Sequence, residues 1–351
     1  MKDAIMIEND EWKIVRSKDY KYDFNKNNGF FRRWGKTVDD DPEYSPIGPE
    51  LLDLEISTIC HRGCEFCYKS NTKRGKNMDL ETFKKIFHKM PKTLTQVAYG
   101  IGSIDSNPDL WKIMEYCRNN DHNKVVPNIT INGDNLTDEY ADNLARLCGA
   151  VSISRYDADT CYNAVKKLTD LGLKQTNIHQ LASLETLSDC YQVIDDWEND
   201  ERLSKLNAIV FLLMKPKGKR NRLHQLTDLS KYKELIDYAL DKGAPIGFDS
   251  CSASSFLKCV KTRDNYKQLE MVAESCESAC FSCYIDVNGV AWPCSFCEDL
   301  DGIEGVNVLE VNDFMKEVWY GKPYVEFRKK LLDSCTIVGC RECPAFNLNM
   351  E

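Results

Sequence analysis

Residues 60–68 read CHRGCEFCY, placing three thiols and an imidazole within nine positions. Cys60, Cys64 and Cys67 stand at the spacing C-x3-C-x2-C. Such a set can bind zinc, form disulfides or hold an iron–sulfur cluster. A structural zinc site wants a fourth protein ligand, and His61, adjacent to Cys60, is poorly placed to supply it. Three thiolates on one tight loop can hold three irons of a cubane and leave the fourth open to a small ligand. The chain has 17 cysteines. Its opening residues, MKDAIMIENDEWK, are interrupted by charges and lack the apolar core of a signal peptide. The expectation is therefore a cytoplasmic protein, where disulfides are rare and metal or cluster ligation is the better use of so many thiols. Some are expected to be plain core residues, because free Cys buries readily.

Such thiols need elements to position them. From LLDLEIS (51–57) onward, apolar strands alternate with amphipathic helices. Later strands are TQVAY (95–99), PNITI (127–131), AVSIS (150–154), KQTNIHQL (174–181) and NAIVFLLM (207–214), with PIGFDS (245–250) as one more candidate. Six strand-then-helix units imply parallel strands joined by right-handed crossovers. The alternation stops near residue 250, short of a full eight-unit barrel. The expected class is α/β, a partial (β/α)6 TIM-like barrel over residues 49–250. Loops after the strand C-termini form the active face of such a barrel, and the cysteine triplet lies on the first of them. Residues 1–48 show no clean period and read as an irregular flanking segment. Beyond 250 the texture changes. Ten cysteines fall between 251 and 343, with regular structure expected only at 312–320 and 324–333. Residues 251–351 therefore read as a small metal-stapled domain.

Composition narrows the class. Apolar residues at 42% and charged residues at 29% fit a folded globular chain. A net charge of -9 argues against a general nucleic-acid binder. The longest apolar run, AIVFLLM (208–214), has strand length and cannot span a membrane.

The stretch EISTICHRGCEFCY resembles the first strand and cluster loop of the radical S-adenosylmethionine (SAM) superfamily. The resemblance implies a [4Fe–4S] cluster on Cys60, Cys64 and Cys67, with its open iron chelating SAM. It also implies reductive cleavage of SAM to a 5′-deoxyadenosyl radical that takes hydrogen from a substrate. Phe66 then packs near the adenine. YGIGSIDSNPDL (99–110) falls where the superfamily has a Gly-Gly-Glu-Pro stretch, so Gly100 and Gly102 are expected close to the SAM amino group. Ser103 replaces the usual acidic residue, and Asp105 is a candidate to compensate. ITING (129–133) is similar to the family's Thr-x-Asn-Gly and nominates Thr130 and Asn132. SISR (152–155) nominates Ser154 for a ribose or carboxylate contact and Arg155 for the SAM carboxylate. Asn177 and His179 share a strand face and are further candidates, with a core histidine as the plainer reading.

GVAWPC (289–294) and CRECP (340–344) resemble the SPASM or shorter twitch extension of radical SAM enzymes. That resemblance implies an auxiliary [4Fe–4S] cluster on Cys276, Cys294, Cys340 and Cys343. It leaves Cys280, Cys283, Cys297 and Cys335 for a second cluster or none, and a structural zinc site remains an alternative. Cys117, Cys148, Cys161 and Cys190 read as core or surface thiols. At the expected barrel mouth, Asp249 and Cys251 are candidates to move a proton or hydrogen atom. The basic run KPKGKRNR (215–222) either attracts an anionic substrate or is a solvated loop. Enzymes with such extensions most often act on peptides or proteins, which sets the expected substrate, although residues 1–48 are short for a separate peptide-recognition domain. The rivals are a small-molecule or nucleoside substrate and a non-catalytic iron–sulfur or zinc protein. A reducing partner such as flavodoxin or ferredoxin is implied, and no membrane or nucleic acid is expected.

Overall fold

The structure is a computed structural model that describes residues 4–334 and 341–351. Four short strands, β1 (Ile5–Glu8), β2 (Trp12–Arg16), β3 (Lys21–Asn25) and β4 (Phe31–Trp34), form an antiparallel sheet in that order. The larger sheet holds β5 (Leu51–Glu55), β6 (Gln96–Gly100), β7 (Val126–Ile131), β8 (Ala150–Ser154), β9 (Gln175–Ala182), β10 (Ala208–Leu213) and β11 (Ile246–Phe248). It continues with β12 (Ser282–Ile285), β13 (Val290–Trp292) and β14 (Val306–Asn307). The order is β11-β10-β9-β8-β7-β6-β5-β12-β13-β14. Strands β5 to β11 are parallel throughout.

Six helices make the crossovers: α1 (Leu80–Phe87), α2 (Leu110–Asn119), α3 (Asp138–Leu147), α4 (Ala158–Asp170), α5 (Leu187–Asn199) and α6 (Leu229–Asp241). Side-chain caps start several of them. Asp79, Thr137, Asp157 and Asp228 accept from first-turn amides that have no intrahelical partner. The partial barrel expected from the alternation is thus present, with β11 as a short seventh strand. Strand β12 then joins the free edge of β5 in parallel, so the sheet runs directly into the C-terminal region.

Period-two alternation divides the barrel into two unlike faces. Leu52, Leu54, Val97, Ile129, Val151, Ile153, Ile178 and Ile209 are buried beneath the helices. Their neighbours Asp53, Ala98, Asn128, Thr130, Ser152, Ser154, Asn177 and His179 are half-buried and line the lumen. A filled barrel interior carries bulky branched residues, whereas this one carries small and polar ones.

The first sheet closes the N-terminal end of the barrel strands. Tyr22 Oη donates to Thr93 O (2.6 Å), Gln175 Nε2 to Asn28 O (2.8 Å), and buried Lys13 Nζ to Leu94 O (2.8 Å) and Lys124 O (3.2 Å). Burial pushes the Lys13 pKa down to about 8, although Glu8 partly offsets it. Reading residues 1–48 as irregular is therefore corrected. The strands have four or five residues each, and charges on their exposed sides blur the pattern. The period-two run Tyr20, Tyr22, Phe24, all buried, was the available signal. The C-terminal region also holds more helix than expected, in α7 (Ala253–Val260) and α8 (Tyr266–Met271), beside the π-helical turn at Met315–Trp319 and α9 (Lys322–Asp333), where regular structure was expected.

Candidate functional site

The loop after β5 carries Cys60, Cys64 and Cys67, all free and half-buried, at the C-terminal end of the strands. Its turns close through Cys67 N to Cys64 O (3.3 Å), Ser70 N to Cys67 O (2.9 Å) and Cys60 N to Thr72 O (2.9 Å). Neighbouring loops fix its shape from outside. Ser103 N donates to Ile59 O (3.1 Å), and Ser103 Oγ accepts from His61 N (3.2 Å). Asn132 Nδ2 reaches Gly102 O at 3.3 Å. Arg62 Nη1 meets both oxygens of Asp134 at 2.8 Å, and its guanidinium lies 4.9 Å from the Tyr156 ring centroid. The three thiols are close enough to influence one another. Burial raises the Cys64 pKa, Arg62 opposes this, and Cys60 and Cys67 add to it.

The nominated residues divide into two groups. Gly100, Thr130 and Ser154 face the lumen, Gly100 exposed and the other two half-buried. Phe66 sits at the loop's edge with its ring 5.5 Å from that of Tyr156. Gly102, Ser103 and Asn132 instead hold the cysteine loop. A Cβ on Gly102 would stand 2.2 Å from Ile59 O and 2.6 Å from Cys60 Cβ, so glycine is required for that packing. Asp105 is exposed and accepts from Asn135 Nδ2 (3.0 Å). Arg155 differs from expectation. Its guanidinium donates to Tyr162 Oη (2.8 Å) and Gln180 Oε1 (3.3 Å) and pairs with Asp196 (3.6 Å), which commits it to the helical layer. The cause is alternation: Ser154 faces the lumen, so the next side chain does not. Asn177 and His179 do share the lumen face. Burial pushes the His179 pKa down to about 4, with Asp249 partly offsetting, so the ring is neutral at pH 7.

In the C-terminal region, Cys276, Cys294 and Cys343 come together from separate segments, and Cys294 adds to the burial that raises the pKa of each of the other two. Cys297 Sγ lies 3.4 Å from Cys294 Sγ. Cys340 and Cys335 lie outside the described residues. Cys283 is a core residue whose thiol is 3.0 Å from Tyr324 Oη. Cys117, Cys148, Cys161 and Cys190 are all buried. Among the described residues, no three His, Cys, Asp or Glu side chains close on one point as a single metal ion requires. A cubane takes one thiolate per iron and so does not need that convergence.

The run 215–222 is a strap between the two thiol sites. A Cβ on Gly218 (φ +108°) would stand 2.4 Å from Cys67 O. Lys219 N donates to Ser70 Oγ (2.9 Å), and Lys217 Nζ donates to Phe296 O (3.1 Å) and Glu298 O (2.6 Å). Tyr68, which follows Cys67, stacks on Phe296, between Cys294 and Cys297, with centroids 4.4 Å apart. Lys215 is buried and ion-paired with Asp249. Burial disfavours its charge, but Asp249 and Cys251 beside it outweigh that and raise its pKa. Lys69 is half-buried and pairs with Glu55 (3.1 Å) and Glu298. The sequence nominated neither lysine for these roles, because each partner is remote in the chain.

Residues 54–189 match the Radical SAM superfamily. They are a radical SAM domain. The matched segment runs from β5 into α5 and contains the triplet, and the match supports SAM binding and a radical SAM [4Fe–4S] cluster in this barrel. No curated protein matches the sequence. Among solved structures, Streptococcus suis SuiB bound to S-adenosylmethionine is 16% identical, with 81% of this chain and 68% of that chain covered and a TM-score of 0.61. SuiB bound to the precursor peptide SuiA is 14% identical, with 92% and 90% covered and a TM-score of 0.68. Native anSMEcpe with bound AdoMet and Cp18Cys peptide is 16% identical, with 85% and 93% covered and a TM-score of 0.58. At these identities the likeness is one of fold. Among the described residues no helix is long and apolar enough to cross a membrane.

Proposed function

We propose that this chain is a radical SAM enzyme acting on a peptide or protein. The observation that carries the reading is the placement of three half-buried thiols on the first loop of a small-lined, polar barrel lumen. Cys60, Cys64 and Cys67 would hold a [4Fe–4S] cluster there. Bound together, cluster and SAM supply one-electron reductive cleavage and a 5′-deoxyadenosyl radical that removes a hydrogen atom. The chain's own residues do the positioning. Ser103, Asn132 and Asp134 hold the loop, Phe66 and Tyr156 offer an aromatic surface to the adenine, and Gly100, Thr130 and Ser154 leave space and polar contacts in the lumen. Cys276, Cys294 and Cys343, with Cys340, would hold an auxiliary cluster. Cys251 stands beside Lys215 and Asp249 at the mouth, where its S–H would give a hydrogen atom to a substrate radical and leave a thiyl radical, which one electron from the reducing partner and one proton would return to the thiol. The electron comes from a reducing partner such as flavodoxin or ferredoxin.

A peptide substrate is supported by the shape shared with SuiB bound to SuiA over nine-tenths of both chains. The decisive experiment is anaerobic. Protein reconstituted with iron and sulfide and reduced with dithionite is expected to convert SAM to 5′-deoxyadenosine. No product from protein with an intact cluster would sink the reading.

A further inference from the structure

Three carboxylates stand on or beside the lumen, and two have their cation within the chain. Glu55 has Lys69 at 3.1 Å, and Asp249 has Lys215. Asp53, one lumen-facing position below Glu55 on β5, has no such partner among the described residues. Burial alone accounts for the rise of its pKa to about 6, with no cation or donor to offset it. The register places Ala98 and then Asn128 across from it on β6 and β7, followed by Ala150 on β8. Asn128 is already committed, accepting from Ala150 N (2.9 Å) and donating to Gln96 Oε1 (2.8 Å). On the β6 side Ala98 offers Asp53 only a methyl group, and on the other flank Tyr284 of β12 stands across from it. An unpaired carboxylate in a low-dielectric site is costly, and a buried carboxylate normally finds a partner.

We propose that Asp53 anchors a cationic group of the substrate, an ammonium or guanidinium, inside the lumen below the cysteine loop. The inference rests on reading the lumen as a substrate chamber and names the chemistry of what enters it. A lysine or arginine side chain of a peptide is long and thin enough to pass small lumen residues, and it would give Asp53 what Lys69 gives Glu55.

The test uses full-length protein, reconstituted without oxygen and saturated with SAM. It is titrated calorimetrically with N-acetyl-lysine methylamide and, separately, with its neutral isostere N-acetyl-norleucine methylamide. The lysine compound is expected to bind about tenfold more tightly, the worth of one charge-assisted hydrogen bond. Asp53→Asn is expected to erase the preference while retaining iron and SAM affinity, and Asp53→Glu to keep part of it. Equal affinities, no binding of either compound, or a preference that survives Asp53→Asn overturns the proposal. Loss of SAM affinity in Asp53→Asn also overturns it, by assigning the carboxylate to SAM.

Should Asp53→Asn fail to hold iron, the wild-type protein decides the matter. The lysine preference must fade as pH falls through about 6, where the carboxyl takes up a proton, and a preference unchanged from pH 7.5 to 5 overturns the proposal. Tyr68, Tyr284 and Cys283 are pushed upward by burial and stay neutral, and His179 titrates near 4. Burial also raises the Glu55 carboxyl, with Lys69 opposing, so the same fade must persist in Glu55→Gln, and its disappearance there overturns the proposal. Wild-type protein that forms 5′-deoxyadenosine but shows no lysine preference sinks this proposal alone. Protein that forms none sinks the reading beneath it.

Discussion

The two thiol sites of this molecule are built in opposite ways. Cys60, Cys64 and Cys67 share one short loop, and only the loop's shape comes from afar, through Ser103, Asn132, Asp134 and Gly218. Cys276, Cys294 and Cys343 approach one another from the segment before β12, the turn after β13 and the C-terminal tail. There the candidate ligands themselves come from afar. Burial does not distinguish them from ordinary core thiols. Cys276, Cys283 and Cys297 are all buried, yet Cys283 faces a tyrosine hydroxyl and Cys297 faces another thiol. A contiguous site is therefore stated by spacing, whereas a dispersed one is settled only by folding.

The sharpest way to break this comparison is to empty the contiguous site. Changing Cys60, Cys64 and Cys67 together to alanine is expected to abolish 5′-deoxyadenosine formation, while iron at the C-terminal site remains measurable by absorbance and metal analysis. The sites do touch, through Tyr68 on Phe296 and through the lysines Lys69 and Lys217. If all iron is lost from the triple variant, the two sites form one cooperative assembly and the contrast fails.

How much of this was legible follows the same division. The barrel could be read because β5 to β10 keep apolar outward rows under amphipathic helices, four of the six capped by side chains, a pattern that local sequence carries. The N-terminal sheet could not, since strands of four or five residues borrow their burial from the barrel floor, and Lys13 there is a buried cation satisfied by remote carbonyls. The triplet could be read as a candidate ligand set from its spacing alone. Arg155 was nominated for its bidentate charge, while the alternation that puts Ser154 in the lumen turns Arg155 toward Tyr162 and Asp196. Lys69 and Lys215 were hidden because their partners lie far along the chain.

A smaller effect probes how far the contiguous loop depends on its surroundings. Gly102→Ala puts a Cβ 2.2 Å from Ile59 O, a contact with backbone that no flexible side chain can relieve. The loop must shift, at a cost of about 1–3 kcal/mol for an overpacked contact. Iron content and SAM affinity at the first site are expected to fall several-fold, with the far-ultraviolet circular dichroism unchanged. Full retention of both would show that the loop sets its own shape and needs no clasp.

The smallest expected effect separates ligand from core in the dispersed site. Cys294→Ala removes a thiol that stands 3.4 Å from Cys297 and beside Cys276, and the C-terminal iron is expected to go with it. Cys283→Ala removes an equally buried thiol whose neighbour is Tyr324 Oη, itself still bonded to Trp292 O at 2.6 Å. That change loses one weak hydrogen bond and opens a small cavity, so it is expected to cost about 1–2 kcal/mol in urea unfolding and no iron. Iron loss in Cys283→Ala comparable to that in Cys294→Ala would make Cys283 a ligand. The partner seen at each thiol would then no longer distinguish the cysteines that hold metal from those that fill the core.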